Sequence, residues 1–362
     1  MPIYVFGSNS ISQLGLGEDA DSTHIPTLLP FFNDKKVKKI KCGTIHTLVL
    51  TTDNKLYSWG CNDEYALGRE GDESIPMEVD LKDEILDMTG GASISACITK
   101  KGDLYIWGTF RNSSGVFGID KYTRIQKKPR KFKSNLSGFK FIDIDSGSNF
   151  ICLLSKTKNI WTFGSNEFYE LCRRTSTRDR TSSLFPHPIF SGKARIENHK
   201  FQAVRCGSNH GAGINTNNEV YIWGSNIYGQ LGIGHCEETK LKHKVDLKNV
   251  VDVSGGEHHT LFLTDDHKCY GCGRNDQSQL GIEKDKIILK PKLIIENVQK
   301  IRTYENFSIL QIDDKLFSFG LCYSGATGFE ETIVSKPKLI PFDFKKIIDF
   351  RVGADFTIVL TE

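Results

Sequence analysis

A short phrase ending in glycine recurs along these 362 residues with a period of about fifty, which confines the chain to a repeat architecture. The phrase reads IYVFGSN from Ile3, KLYSWGCN from Lys55, DLYIWGTF from Asp103, IWTFGSN from Ile160, EVYIWGSN from Glu219, KCYGCGRN from Lys268 and KLFSFGLC from Lys315. A second motif precedes six of these anchors. Gly43, Gly91, Gly147, Gly207 and Gly256 each stand seventeen residues before an anchor glycine, and Thr303 takes that place before Gly320. A seventh copy, VGADFTIVLTE, runs from Val352 to Glu362 with no anchor after it. The first repeat therefore lacks what the last repeat supplies.

A linear solenoid would end in capping repeats, whereas two complementary half-repeats fit a ring that closes on itself. The runs between anchors are short, apolar and partly alternating, as in HTLVL at His46 to Leu50 and TLFLT at Thr260 to Thr264. Turn material separates them, including TTDN, TKKGD, NTNNE and TDDH. This pattern predicts an all-β, seven-bladed propeller over residues 1–362, an architecture that limits exposed strand edges. Ile347 to Leu360 should supply the inner strands of the last blade. Ile3 to Phe6, with Thr27 to Leu29, should complete it.

Composition narrows the function classes. A formal charge of +3, from 47 basic and 44 acidic residues, does not describe a sequence-specific DNA reader. Two local basic runs remain, Lys35, Lys36, Lys38, Lys39 and Lys41, then Lys127, Lys128, Arg130, Lys131 and Lys133. Each is a solvated loop or a docking site for an acidic protein or phosphate backbone. The ten cysteines read as reduced, packed side chains rather than a secreted framework. Cys269 and Cys272 form one CxxC without a second ligand pair nearby, so neither a metal nor a cofactor is expected. No apolar stretch is long enough to span a membrane. GxxxxGK[ST], HExxH and a properly placed GxSxG are all missing from the chain, so no catalytic residue is assigned.

One column of the repeat reads His46, Ile94, Phe150, His210, His259, Asn306 and Phe356, preceded by Ile45, Ser93, Asn149, Asn209, His258, Glu305 and Asp355. A rim carrying Asn149, His258, His259 and Asp355 either binds a partner through hydrogen bonds or caps its own turns. The repeat also stretches twice, to 56 residues between Gly108 and Gly164 and to 60 between Gly164 and Gly224. Extra length in a regular repeat becomes a loop on a rigid ring.

SWGCNDEYALGR at Ser58 to Arg69 and WGTFRNSSGVFG at Trp107 to Gly118 resemble the regulator of chromosome condensation family, which includes the nucleotide exchange factor for the small GTPase Ran. SNSISQLGLGE at Ser8, CGTIHTLVLT at Cys42, GSNIYGQLGIG at Gly224 and GGEHHTLFLT at Gly255 extend the likeness over nearly the whole chain. The resemblance implies a nuclear, chromatin-associated exchange factor with no covalent chemistry, acting as a monomer with one face on a Ran-like GTPase. It implies a hairpin-like wedge at Gly118 to Lys128, carrying Asp120, Lys121, Tyr122, Thr123 and Arg124. Polar rim positions of the family fall on Ser10, Ala92, Asn149, His259 and Phe356, and a family arginine falls on Arg178 or Arg180. Ser10, Ala92 and Phe356 lose the polar role, which leaves open a non-catalytic scaffold for chromatin or another small GTPase. A chromatin-contacting loop is implied at Ser191 to His199, where Lys193 and Arg195 would meet the acidic patch of the histone pair, beside nucleosomal DNA.

Overall fold

The computed structural model describes residues 1–132, 139–176, 178–189 and 199–362. Seven four-stranded antiparallel sheets follow one another around an axis. The innermost strands are Val37–Cys42, Ile85–Gly90, Phe141–Ser146, Phe201–Cys206, Val250–Gly255, Lys300–Tyr304 and Ile347–Val352. Each is followed by a strand such as His46–Thr51 or Phe150–Ser155, buried at every position in six blades and at all but its last residue in Phe307–Ile312, because neighbouring blades cover both of its faces. Then comes the strand that carries the anchor glycine. In blade 7 the two termini meet: Ile347–Val352 pairs Phe356–Thr361, which pairs Ile3–Gly7, which pairs Thr23–Leu29. The expected closure is therefore present in this register, with Ile3 opposite Leu360 and Gly7 opposite Phe356.

The repeated words of the sequence are fasteners. In five blades the asparagine two residues after the anchor glycine folds the following loop back on itself. Asn9, Asn62, Asn166, Asn226 and Asn275 accept through Oδ1 from the backbone N–H of Leu14, Leu67, Leu171, Leu231 and Leu280, at 3.0 to 3.1 Å. The tip of that loop then reaches the next blade. Trp59, Trp107 and Trp223 donate their indole N–H to the carbonyls of Gln13, Ala66 and Glu170, at 2.8 to 2.9 Å. Gly15 and Gly68 lie so close over the Trp59 and Trp107 rings that a Cβ would collide with them, and both sit at positive φ. These aromatic–glycine pairs are core packing between blades.

One loop carries a substitution with a measurable cost. Gln13, Gln230 and Gln279 accept through Oε1 from the N–H two residues earlier, and Glu170 does the same with Phe168 at 2.8 Å. Glu170 is buried and among the described residues no cation faces it, so desolvation pushes its carboxyl up to about 7. An acid raised in the folded state destabilises the fold once it ionises. Glu170→Gln should therefore raise stability by up to about 3 kcal/mol at pH 8. The gain should shrink as pH falls from 7 towards the unfolded carboxyl range. Urea unfolding of the two proteins at pH 8 and pH 5 checks this; an equal gain at both pH values would refute it.

The recurring glycine and the residue three places on are one device. His46, His210, His259, Phe150 and Phe356 turn their rings onto Gly43, Gly207, Gly256, Gly147 and Gly353, where any Cβ would strike the ring. Blade 6 departs from this. Its second strand is Phe307–Ile312, and its hairpin to Lys315–Leu321 is one residue shorter than in the other blades. The column residue is thus Phe307, not Asn306, and Tyr304 rather than Thr303 stands in the glycine's place. The Tyr304 side chain leaves the sheet and hydrogen-bonds Thr44 of blade 1 at 2.5 Å, reaching past blade 7 at one end of the axial channel.

That channel, with a volume of about 520 Å³, is lined by the innermost strands. Lys39 pairs with Asp87, Lys41 with Asp145, Arg205 with Asp143 and Asp252, Arg302 with Asp252, and Arg351 with Asp349. The first basic run of the sequence is therefore partly a strand whose alternate lysines join blades together, while Lys36 and Lys38 are exposed. Cys269 and Cys272 both lie within Cys269–Arg274. They pack on opposite sides of blade 5, one towards blade 6 and the other towards blade 4, and so do not converge on one ion.

A rim with an inserted hairpin

On the face where the anchor strands end, each blade presents the residue that precedes its column. Its carbonyl accepts a hydrogen bond from the N–H that follows the anchor glycine. These pairs are Ile45 with Cys61, Ser93 with Thr109, Asn149 with Ser165, Asn209 with Ser225, His258 with Arg274, Asn306 with Leu321 and Asp355 with Ser8, at 2.7 to 3.0 Å. Seven side chains are thereby held at one level by backbone geometry. The expected rim residues separate on this criterion. Asn149, His258 and Asp355 are half-buried on the rim, while His259 and Phe356, one residue on, are in the interior. His259 hydrogen-bonds Ser308 of the next blade at 3.0 Å and offers no surface to a partner. Phe356 is likewise interior, and the polar Asp355 holds the rim position beside it.

Around these residues the face is acidic and apolar. Burial raises the Asp355 carboxyl and pushes Glu305 up to about 7, with Asp355 and Glu257 adding repulsion to the latter. Glu305 also sits at φ +36°, a strained setting for a non-glycine residue. Desolvation lowers the pKa of His258, which stacks on Tyr228 with ring centroids 4.6 Å apart. Ile11, Phe168, Ile227 and Tyr323 are exposed at the tips of four of the asparagine-folded or equivalent loops. Ser10 is exposed on the same face beside Ser8, and Ala92 is half-buried there.

The insertion in blade 2 forms its hairpin outside the segment where the resemblance implies one. The hairpin is Phe110–Asn112 paired with Gly115–Gly118, so it precedes the segment from Gly118 to Lys128. That later segment is a turn followed by an outer strand. Asp120 accepts from the N–H groups of Tyr122 and Thr123, both at 2.8 Å, and pairs with Arg130, while Gln126–Lys131 joins the blade edge. Lys121, Tyr122 and Arg124 are exposed, Tyr122 by 89%, and Arg124 donates to the Val116 carbonyl in the hairpin at 3.1 Å. The glycine at Gly115 after two serines was the available sign of a hairpin.

Of the remaining expected residues, Arg178 is exposed, and Arg180 opens a short 3-10 turn ending at Leu184. Lys193 and Arg195 lie outside the described residues. Among the described residues no group of three or more metal-ligating side chains converges, and no helix is long and apolar enough to cross a membrane.

Residues 2–359 match the model of the RCC1-like domain. The chain is 30% identical to protein pim1 of Schizosaccharomyces pombe, over 99% of this chain and 74% of that protein. It is 29% identical to the guanine nucleotide exchange factor SRM1 of Saccharomyces cerevisiae, over 79% of this chain and 67% of that protein. The crystal structure of Prp20p from Saccharomyces cerevisiae, a protein with binding properties to Gsp1p and histones, superposes with a TM-score of 0.91 at 25% identity, covering 99% of this chain and 90% of that one. Its whole length, its seven blades and its repeated loops place this chain in the RCC1-like domain family.

Proposed function

We propose that this protein is a guanine-nucleotide exchange factor for a Ran-like small GTPase, working at chromatin in the nucleus. The observation that carries this reading is the likeness to SRM1 and Prp20p across most of both chains, together with a hairpin projecting beside an acidic, partly apolar rim. Exchange involves no bond-making by the factor. It requires tighter binding to the nucleotide-free GTPase than to the loaded form, so that new contacts offset part of the lost nucleotide and magnesium contacts. A partner surface bound equally in both states would shift nothing. The hairpin Phe110–Gly118 is the wedge, a reassignment from the segment that follows it, and His258 and Asp355 are the rim contacts, with Asn149 holding the hairpin beside them. The histone-facing element is the segment Ser191 to His199, with Lys193 and Arg195.

Release of labelled GDP from a Ran-like GTPase, followed across a titration of this protein, is the test. Acceleration that saturates is expected, and replacing Ser113 to Val116 with a short glycine linker should reduce it at least tenfold, about 1.4 kcal/mol of lost differential binding. No acceleration at any concentration would overturn the reading, and full exchange by the linker variant would move the active element elsewhere.

A further inference from the structure

The hairpin Phe110–Gly118 belongs to none of the seven blade sheets; it is a separate two-stranded sheet. A hairpin of that kind is at best marginally stable on its own in water, so something else fixes its position. Side chains from both adjacent blades do so. On the blade 1 side, Glu64 pairs with Arg111 in the first strand of the hairpin, and Ser93 donates to the same carboxylate at 2.6 Å. On the blade 3 side, Asn149 accepts from the Arg111 backbone N–H at 2.8 Å. At the tip, Glu167 of the blade 3 loop accepts from the Ser113 N–H at 2.9 and 3.1 Å and from the Ser113 hydroxyl. Thr109 closes the base by donating to the Arg124 carbonyl at 2.6 Å.

We propose that Glu64, Asn149 and Glu167 are positioning residues: they hold the hairpin at a fixed height and tilt on the rim, so that it meets the GTPase preformed. This rests on the exchange-factor reading above. The chemistry suits the task. Glu64 is only 18% exposed and is held by Ser93, so its carboxylate is a stationary acceptor for Arg111. Glu167 takes a backbone donor and a hydroxyl at once, which fixes the tip in both position and rotation. Asn149 uses the side-chain acceptor that an aspartate would also offer, so the hairpin's backbone needs no charge there. A preorganised element does not lose ordering entropy on binding, and small displacements of a positioned group have large rate effects.

The test separates this arrangement from the exchange reading. Hydrogen exchange on the free protein should show protected amides at Arg111 and Ser113. Glu64→Ala and Glu167→Ala should each raise the exchange rate of these amides at least tenfold while the melting temperature stays within a few degrees, a surface-scale change. In the GDP-release assay the same variants should lower the rate at saturating factor about tenfold, with a smaller change in the concentration for half-maximal rate. Arg111→Glu combined with Glu64→Arg should recover part of the loss that Glu64→Arg causes alone. Unchanged amide protection in the alanine variants would overturn the clamp itself. Lost protection with undiminished GDP release would overturn its positioning role. If the unaltered protein releases no GDP, the exchange reading fails and takes the positioning role with it, while the protection result still decides whether the clamp exists.

Discussion

Removing Ile3–Gly7 is expected to abolish cooperative folding of the entire ring rather than loosen one blade. This strand lies between Phe356–Thr361 and Thr23–Leu29, so its loss breaks two ladders at once and strands the outer segment. Its side chains alternate between two interfaces. Ile3 and Val5 pack with Phe32, Ile40 and Trp59 towards blade 1, and Phe6 packs with Phe319 and Phe350 towards blade 6. All three are fully buried. At roughly 2 kcal/mol each for burial, they contribute about 6 kcal/mol before any hydrogen bond is counted, a large share of the 5 to 15 kcal/mol that holds a typical domain folded. Opening the ring also exposes the backbone of two strands that no neighbour can satisfy. Circular dichroism and thermal unfolding of the truncated chain should show no sharp transition. A circular permutant that joins residue 362 to residue 1 and opens the ring in an exposed loop should retain it, because Thr361 and Pro2 already lie one hydrogen bond apart at 3.0 Å. A truncated chain that melts like the full one would refute the argument.

The closure was legible because it follows from counting motifs: half a repeat at each end has one economical arrangement. The glycine column was legible for a similar reason, although its meaning was not. Sequence spacing places Gly43 three residues before His46, but only the structure shows that the ring occupies the glycine's missing side chain. The same column did not reveal which of its residues reach the surface. A histidine in a turn reads as a rim ligand, yet an alternating strand sends His258 outwards and His259 inwards, and one residue decides which. Blade 6 slipped by one because the hairpin between Ile312 and Lys315 is shorter, so counting back from the anchor glycine lands on Asn306 instead of Phe307. The hairpin was not legible because RNSSGVF is too short and too polar to announce a strand pair. Its position is set by Glu64, Asn149 and Glu167, which come from other repeats and leave no local trace.

The three buried histidines make the ring acid-sensitive in a way that can be isolated. Ser95, Thr260 and Ser308 donate their hydroxyls to the carbonyls of Ala66, Gln230 and Gln279, at 2.7 to 2.9 Å. Each hydroxyl oxygen must then accept from His46, His210 or His259, at 2.7 to 3.0 Å, so all three imidazoles carry their proton on Nε2. Nδ1 is left facing the glycine, with no hydrogen-bond partner among the described residues. A second proton would put a charge into a dry interface, and burial accordingly lowers His46 to about 4 and His210 and His259 to about 3. In the unfolded chain these groups titrate near 6.5. Below that pH the unfolded state takes up protons that the folded state refuses, so stability falls as pH drops towards 4. At pH 5 each histidine costs about 2 kcal/mol, some 6 kcal/mol for the three. Glu170 and Glu305, whose folded pKa values are raised, act in the opposite direction and would mask part of the loss in a single pH profile. A comparison with the His46→Phe, His210→Phe, His259→Phe variant cancels them. Phenylalanine already fills this column in blades 3, 6 and 7, and in two of these its ring lies over a glycine. The variant should be the less stable protein at pH 7.5, where it lacks the three Nε2–H donors, and the more stable at pH 5. Urea midpoints at the two pH values should cross; parallel profiles would show that the histidines are not neutral in the folded ring.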